Sequence, residues 1–369
     1  MTRWYPVRLV AAVLLVPLLL ATLLAGCSSD EPAGSLESGA ATPAAPALSV
    51  TRTVASGLEV PWGVAFLPDG STLVALRDSG EVRRISADGQ VTEAGSVPGA
   101  QHRGEGGLLG LAVPPPEQTG GRITVYAYFT GSQDNRIVTM LYQNGRLGTP
   151  SPILTGIPSA GFHNGGRMII GPDDKLWVGT GDAGNTSAAQ DRASLGGKIL
   201  RLNLDGSPPA DNPFPGSPVW SLGHRNVQGL AFDSQGRLWA SEFGQDQWDE
   251  LNLVRPGANY GWPLVEGPGT GGGEFEEPYA VWPTSEASPS GLAIVDDIAY
   301  LAGLRGERLW QVPLTGDADR AVARFDGTYG RLRTIVQAPD GTLWLTTSNR
   351  DGRGDPATDD DRILEITIG

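Results

Sequence analysis

The chain has 369 residues, with 41 Asp and Glu against 27 Lys and Arg and a formal net charge of −14. That balance argues against a nucleic-acid partner and against electrostatic attachment to anionic lipid. Its one cysteine, Cys27, allows no intrachain disulfide, so the fold must be held by its core.

Arg3 and Arg8 form a basic start, and Leu9 to Leu24 is nearly all apolar. The stretch is too short and too abruptly ended for a spanning helix, and reads as a secretory signal. It ends in Leu24-Ala25-Gly26-Cys27, which resembles the bacterial lipobox. Residues 1–27 are therefore expected to be a signal peptide cleaved before Cys27, whose lipidated sulfur would anchor the protein outside the cytoplasm. An ordinary secreted protein is the alternative. Residues 28–47 are small, polar or proline, cannot bury enough apolar surface to fold, and read as a tether.

From residue 48 to 369 one phrase recurs six times. It starts at Pro61 (PWGVAFLPDGSTLVAL), Leu108 (LLGLAVPPPEQ), Gly165 (GGRMIIGPDDKLWVGTGD), Val227 (VQGLAFDSQGRLWASE), Pro289 (PSGLAIVDDIAYLAG) and Leu332 (LRTIVQAPDGTLWLTT). Each copy is a short apolar strand, a Gly- or Asp-rich turn and a second apolar strand, which is the pattern of a hairpin. Starts roughly 45 to 60 residues apart match blade repetition. No long segment has a helical period. The reading is all-β, a six-bladed β-propeller, and not a sandwich or an open solenoid. Leu48–Leu58 and Arg362–Gly369 are strands without a blade of their own and are expected to complete one blade, closing the ring.

Polar residues of unusual type collect just before the first strands: HRGEGG from His102, GFHNGG from Gly161, LGHRN from Leu222, YAVWPTSEAS from Tyr279 and TYGR from Thr328. All three histidines lie there. Loops entering first strands ring one mouth of a propeller channel, so these five converge on a pocket of glycine backbone, arginine, histidine and aromatic rings.

In combination, GEGGLLGLA, HNGGR with GTGD, GGKILRLNLDGSPPADNP, LGHRNVQGLAF, SEFGQDQWDELNLV, GANYGWP, WPTSEASPSG and RLR with APDG are specific. From about Leu58 to the C-terminus the chain resembles the soluble quinoprotein glucose dehydrogenase and aldose sugar dehydrogenase family, six-bladed propellers that bind pyrroloquinoline quinone (PQQ) with calcium. The resemblance implies oxidation of an aldose at its anomeric carbon to the lactone, with hydride passing to PQQ and electrons to an external acceptor. It makes His163 the catalytic base, a role suited to imidazole, which exchanges protons near neutrality. It assigns Glu105, Arg225, Asn226, Tyr279, Trp282, Thr284, Arg305, Arg331 and Arg333 to the cofactor, a flat tricarboxylate that calls for cations and aromatic surface. Arg331 and Arg333 alternate, so a regular strand would point them to opposite faces. For both to reach one cofactor, the strand must start irregularly. Calcium is implied at the backbone carbonyls of Gly244 and Gln245, and a second, structural calcium at Glu250 and the Tyr260 carbonyl.

Three departures bear on substrate. Phe162 stands where the glucose enzyme carries a carboxylate, Glu105 replaces a frequent glutamine, and Arg305 replaces a frequent lysine. With a compact GDAGNTSAAQDRASLGGK loop, they favour a broad aldose dehydrogenase over strict glucose specificity. A calcium-dependent lactonase on a propeller and a non-enzymatic binding propeller remain as alternatives.

Overall fold

The computed structural model describes residues 45–269, 272–315 and 320–369. The signal segment, Cys27 and most of the tether lie outside the described residues. Ala45 to Gly369 form one compact unit. Six antiparallel sheets stand around an axis, each led by one of the recurring phrases: Pro61–Phe66, Leu108–Ala112, Met168–Ile170, Val227–Phe232, Pro289–Val295 and Leu332–Gln337 are the innermost strands. The propeller expectation holds. Closure also follows the expected route: Leu48–Ala55 pairs antiparallel with Ile363–Ile368 as the outermost strand of the sixth blade. The two ends of the domain are thus joined by one hydrogen-bonded ladder.

Period-two alternation explains why the middle strands look continuously apolar. In Thr72–Leu76, Leu73 and Ala75 pack toward blade two, whereas Val74 and Leu76 pack toward blade six. In Ile298–Gly303, Ala299 and Leu301 face blade four, while Tyr300 and Ala302 face blade six. Each strand is buried on both faces because every sheet is sandwiched between two others. The core is therefore a set of apolar wedges between blades and not one central mass.

The glycine inside the phrase has a steric reason. A Cβ on Gly63 would stand 2.6 Å from the backbone of Leu109 and Leu111, and one on Gly291 would stand 2.6 Å from the Ile335 nitrogen. Only a residue without a side chain lets neighbouring inner strands close on the axis there.

Strand direction decides where chemistry collects. Each first strand runs away from the mouth and the second returns to it. The loop joining second to third strand therefore opens on the same face as the loop entering the first. Every blade brings two loops to the mouth.

Candidate active site

His163 sits in the loop entering blade three with φ 54°, in the left-handed region. This conformation costs a non-glycine residue of order 1–3 kcal/mol and persists only where the surroundings impose it. They do so here: the His163 N–H donates to Glu105 Oε2 (3.2 Å), and its carbonyl accepts from the Ala183 N–H (3.1 Å). Its ring lies 2.7 Å, Nδ1 to Oδ1, from Asp182, whose side chain is fully buried, and 14% of the His163 side chain stays open. A carboxylate only accepts, so Nδ1 carries a proton, and in the neutral ring Nε2 keeps its lone pair.

Asp182 is itself fixed from three sides. Oδ1 also accepts the Gly184 N–H (2.8 Å), and Oδ2 accepts the indole N–H of Trp262 (2.9 Å). Burial works to raise its pKa, but the hydrogen bonds from His163, Gly184 and Trp262 hold the carboxyl below the usual aspartate range. Trp262 arrives from far away. The segment between Trp248–Val254 and Ala280–Pro283 runs back along blade three, where Asn259 bridges Leu222, and sets the indole against Asp182 and the Arg225 guanidinium (5.4 Å).

Arg225 donates to Gln245 Oε1 through Nε (3.0 Å) and Nη2 (2.6 Å). Asn226 Oδ1 accepts the Gly165 N–H (3.0 Å), yet its Nδ2 is buried without a partner. Buried amide donors are seldom left so.

A second group lies across the mouth. Arg331 grips Asp351 through Nε and Nη2 (2.9 Å to Oδ2), and Arg333 Nη2 reaches the same Oδ2 at 3.2 Å. The ladder shifts register between Leu332 and Ile335, and Arg331 precedes the strand, so the start is irregular and both guanidiniums meet one carboxylate. Arg353 joins the groups: its N–H donates to Asp351 Oδ1 (3.0 Å) and its guanidinium to Glu105 Oε1 (2.8 Å). Burial opposes ionisation of Glu105, but Arg353 holds its carboxyl below the usual range.

Not every residue expected at the cofactor joins this cluster. The Tyr279 hydroxyl donates to the Pro313 carbonyl (2.8 Å) and its ring meets Trp239; Trp282 is buried against Trp310. Both pack in the wedge between blades four and five. Thr284 lies nearer the mouth, its N–H donating to the Gln247 carbonyl (3.3 Å). Arg305 is exposed and makes no hydrogen bond or ion pair among the described residues.

For calcium the donors are mixed. Among the described residues no group of three or more His, Cys, Asp and Glu side chains could hold a metal. The expected ligands are mostly carbonyls, and no described N–H or O–H donates to the carbonyls of Gly244, Gln245 or Tyr260. Glu250 lies opposite Glu242 across adjacent strands, and both line a small cavity with Gly244, Tyr260 and Glu266. Its free volume of about 10 Å³ is on the scale of one water or one ion. Burial first, then the Glu242 charge, raises the Glu250 pKa. A cation there would offset both effects.

The other histidines differ from His163. His102 pairs with Asp78 (2.8 Å). His224 is fully buried, with Nδ1 on Glu242 Oε2 and Nε2 on Ser221 Oγ, both at 2.8 Å. That chain has the composition of a hydrolytic triad, but Ser221 is fully buried and no substrate reaches it.

Asp182, Trp262, Asp351 and Arg353 were not singled out from the sequence. Asp182 closes the quoted GTGD and Trp262 the quoted GANYGWP, so a signal existed for both. The loops between second and third strands, which carry Asp182, Asp351 and Arg353, were the overlooked half of the mouth.

Comparison with known proteins identifies the family. Residues 58–356 match the family described as Glucose / Sorbosone dehydrogenase. The PQQ-bound aldose sugar dehydrogenase of Streptomyces coelicolor is similar in structure, with 54% identity and a TM-score of 0.85 over 89% of this chain and 99% of that one. Quinoprotein glucose dehydrogenase B of Acinetobacter calcoaceticus is 34% identical over 251 residues, 58% of this chain and 52% of that protein. Aldose sugar dehydrogenase YliI of Escherichia coli is 29% identical over 346 residues, 84% of this chain and 92% of that protein. With four-fifths of its length matched, the chain belongs to the glucose/sorbosone dehydrogenase family.

Proposed function

We propose that the protein is a PQQ- and calcium-dependent dehydrogenase that oxidises an aldose at its anomeric carbon to the lactone and passes electrons to a separate acceptor. The observation that carries this reading is the His163–Asp182 pair, with one imidazole nitrogen free, standing across the mouth from a buried arginine pair. Three features fit the absent groups. Asn226 Nδ2 is a buried donor awaiting an acceptor such as a quinone oxygen. Arg331 and Arg333 share a single carboxylate, so one buried positive charge has no counterpart and suits a carboxylated ligand. The Gly244, Gln245 and Tyr260 carbonyls, the first two beside Arg225 and the last beside Glu250, are hard oxygen donors without a hydrogen-bond partner.

In this reading His163 Nε2 accepts the proton of the anomeric hydroxyl, and buried Asp182 steadies the imidazolium that forms. Trp262 and Gly184 keep the carboxylate from turning away. Arg225 and Asn226 orient the oxidant from one side, Arg331 and Arg333 hold its charge on the other, and Arg305 adds a solvent-exposed cation. When bound, PQQ supplies the two-electron acceptor for the hydride, with calcium polarising its carbonyl. Phe162, 47% exposed and edge-on to His163 (4.7 Å), gives the sugar an apolar wall that favours a broad aldose range.

The test is single-turnover quinone reduction by a panel of aldoses in protein reconstituted with PQQ and calcium. The parent should reduce its quinone; His163→Gln should bind PQQ normally and lose roughly 10²–10⁴ in rate. Parental rates in that variant would move the base elsewhere. The proposed setting is outside the cytoplasm, anchored to the bacterial cell membrane through lipid on Cys27, and Cys27→Ser should release the protein from membranes with its activity intact. A variant that still pelleted after salt washing would refute the anchor.

A further inference from the structure

Trp262 is not the only side chain that the excursion from blade four delivers to the mouth. Four residues later, Glu266 turns toward the loop that joins the second strand of blade four, Leu238–Glu242, to the third, Trp248–Val254. One oxygen of this carboxylate, Oε1, accepts four consecutive backbone N–H groups: Gln245 (2.7 Å), Asp246 (3.0 Å), Gln247 (3.0 Å) and Trp248 (3.2 Å). The N–H before them, on Gly244, goes to Asp249 Oδ1 (3.0 Å). Glu266 forms no ion pair among the described residues, so its charge rests on this concave row of N–H dipoles.

Such a row has a second face. In a trans peptide the N–H of one residue and the C=O of the residue before it point in opposite directions, and none of these bonds is cis. Drawing the N–H groups of residues 245–248 onto Glu266 therefore turns the carbonyls of residues 244–247 away from it. Thr284 takes the later two: its Oγ1 donates to the Asp246 carbonyl (3.4 Å) and its N–H to the Gln247 carbonyl (3.3 Å). The Gly244 and Gln245 carbonyls are left without a donor, beside the Gln245 side chain that holds Arg225. A carboxylate on the N–H side also polarises each peptide unit, which makes the opposite oxygens better ligands for a hard cation. The loop closes this tightly only with glycine at its start. A Cβ on Gly244 would stand 1.7 Å from the Trp248 carbonyl oxygen and 2.8 Å from Glu266 Oε1.

We propose that Glu266 is a positioning residue for the cofactor's cation: it gathers the N–H groups of residues 245–248 and so aims the Gly244 and Gln245 carbonyls before calcium arrives. The assignment rests on the calcium-dependent function proposed above for the ion it serves, whereas the ordering of the loop by Glu266 does not. The short stretch from Gly261 to Gly267 then supports both halves of the site, Trp262 holding Asp182 and Glu266 holding the loop.

The experiment uses the whole chain as parent, Glu266→Gln, Glu266→Asp and Glu250→Gln. Hydrogen exchange is measured at the amides of residues 245–248 in the cofactor-free protein, and PQQ binding is titrated at rising calcium. Glu266→Gln keeps the shape of the side chain and removes its charge. Glu266→Asp keeps the charge on a shorter arm, should lose less, and serves if Glu266→Gln does not fold. Expected in Glu266→Gln are faster exchange at those amides and a half-saturating calcium concentration for PQQ binding, each raised by about tenfold or more, the scale of one charge-assisted hydrogen bond. Saturating calcium should restore its PQQ affinity, which a misfolded variant could not show. Parental exchange rates or a parental calcium midpoint in both Glu266 variants would each overturn the assignment. An equal rise of the midpoint in Glu250→Gln would also overturn it, by placing the effect at the small cavity that Glu250 and Glu266 both line. A parent whose PQQ affinity ignored calcium would instead refute the calcium reading, and the exchange rates alone would then decide whether Glu266 orders the loop.

Discussion

Replacing Asp182 by asparagine keeps the volume of the side chain and removes its charge, so it isolates what the carboxylate contributes to His163. Oδ1 accepts two donors, the His163 ring and the Gly184 N–H, and Oδ2 accepts one, the Trp262 indole. An amide has one accepting side and one donating side. Turned so that its oxygen serves His163 and Gly184, it opposes a single N–H, that of Trp262. Turned the other way, it opposes Gly184 and forces the imidazole into the other tautomer, with Nε2 protonated. Each orientation leaves one donor facing a donor, so what separates them is the ring: in the first Nε2 can still accept a proton, and in the second it cannot and the loss of turnover is larger.

In the first orientation His163 keeps its tautomer but loses the charge 2.7 Å away that steadies the imidazolium. An opposite charge at such range is worth about 1–3 pKa units, or about 1.4–4 kcal/mol, so turnover should fall by about 10- to 10³-fold. The unpaired Trp262 N–H should separately cost about 1–3 kcal/mol of stability. Rapid-mixing measurement of quinone reduction at saturating aldose reads the first effect, and thermal denaturation reads the second. Adding Trp262→Phe removes the opposed donor, so Asp182→Asn should destabilise that background less, with its rate loss remaining. A parental rate in Asp182→Asn would refute the role given to the carboxylate.

Removing Arg331 or Arg333 should raise the PQQ dissociation constant by about tenfold or more, since charge-assisted hydrogen bonds contribute roughly 1.5–3 kcal/mol each; equilibrium titration reads this, and unchanged affinity in both variants would refute the clamp. Calcium should raise the melting temperature of the parent, a chelator should lower it, and Glu250→Gln should blunt the response; the same calcium-dependent shift in the variant would remove Glu250 from any metal site. Acid stability follows from Asp351, whose carboxyl is raised by burial but held below its ordinary value of 3.8 by Arg333 and Arg331. A depressed folded value means the unfolded chain takes up the proton first, so this stabilisation is full above about pH 4 and is lost as pH falls through the folded value. Asp351→Asn should flatten that acid limb in denaturant titrations from pH 6 to 2.

What the sequence made legible follows from what repeats. The six phrases carry the ring because every inner strand meets the same constraint: a glycine where neighbouring backbones close on the axis, as at Gly63 and Gly291, flanked by residues that fill wedges on both sides. The closing strand was legible for a related reason, since Leu48–Ala55 had apolar alternation and no blade to join. Polar residues at first-strand entries gave His163, Arg225 and Arg331, because one loop per blade could be placed at the mouth from order alone. The rest depended on pairings that no local pattern records. Asp182 and His163 are 19 residues apart and meet only because a returning strand brings the next loop to the same face. Trp262 and Asp182 are 80 apart and meet because an excursion from blade four runs back along blade three. Tyr279 and Trp282 illustrate the converse case. Aromatic residues near a mouth motif invite a ligand role, yet their rings fill the wedge between two blades, where apolar area is buried whatever binds above. Sequence order identifies which loops share a face; which side chains turn inward from them is decided by the blades that pack on either side.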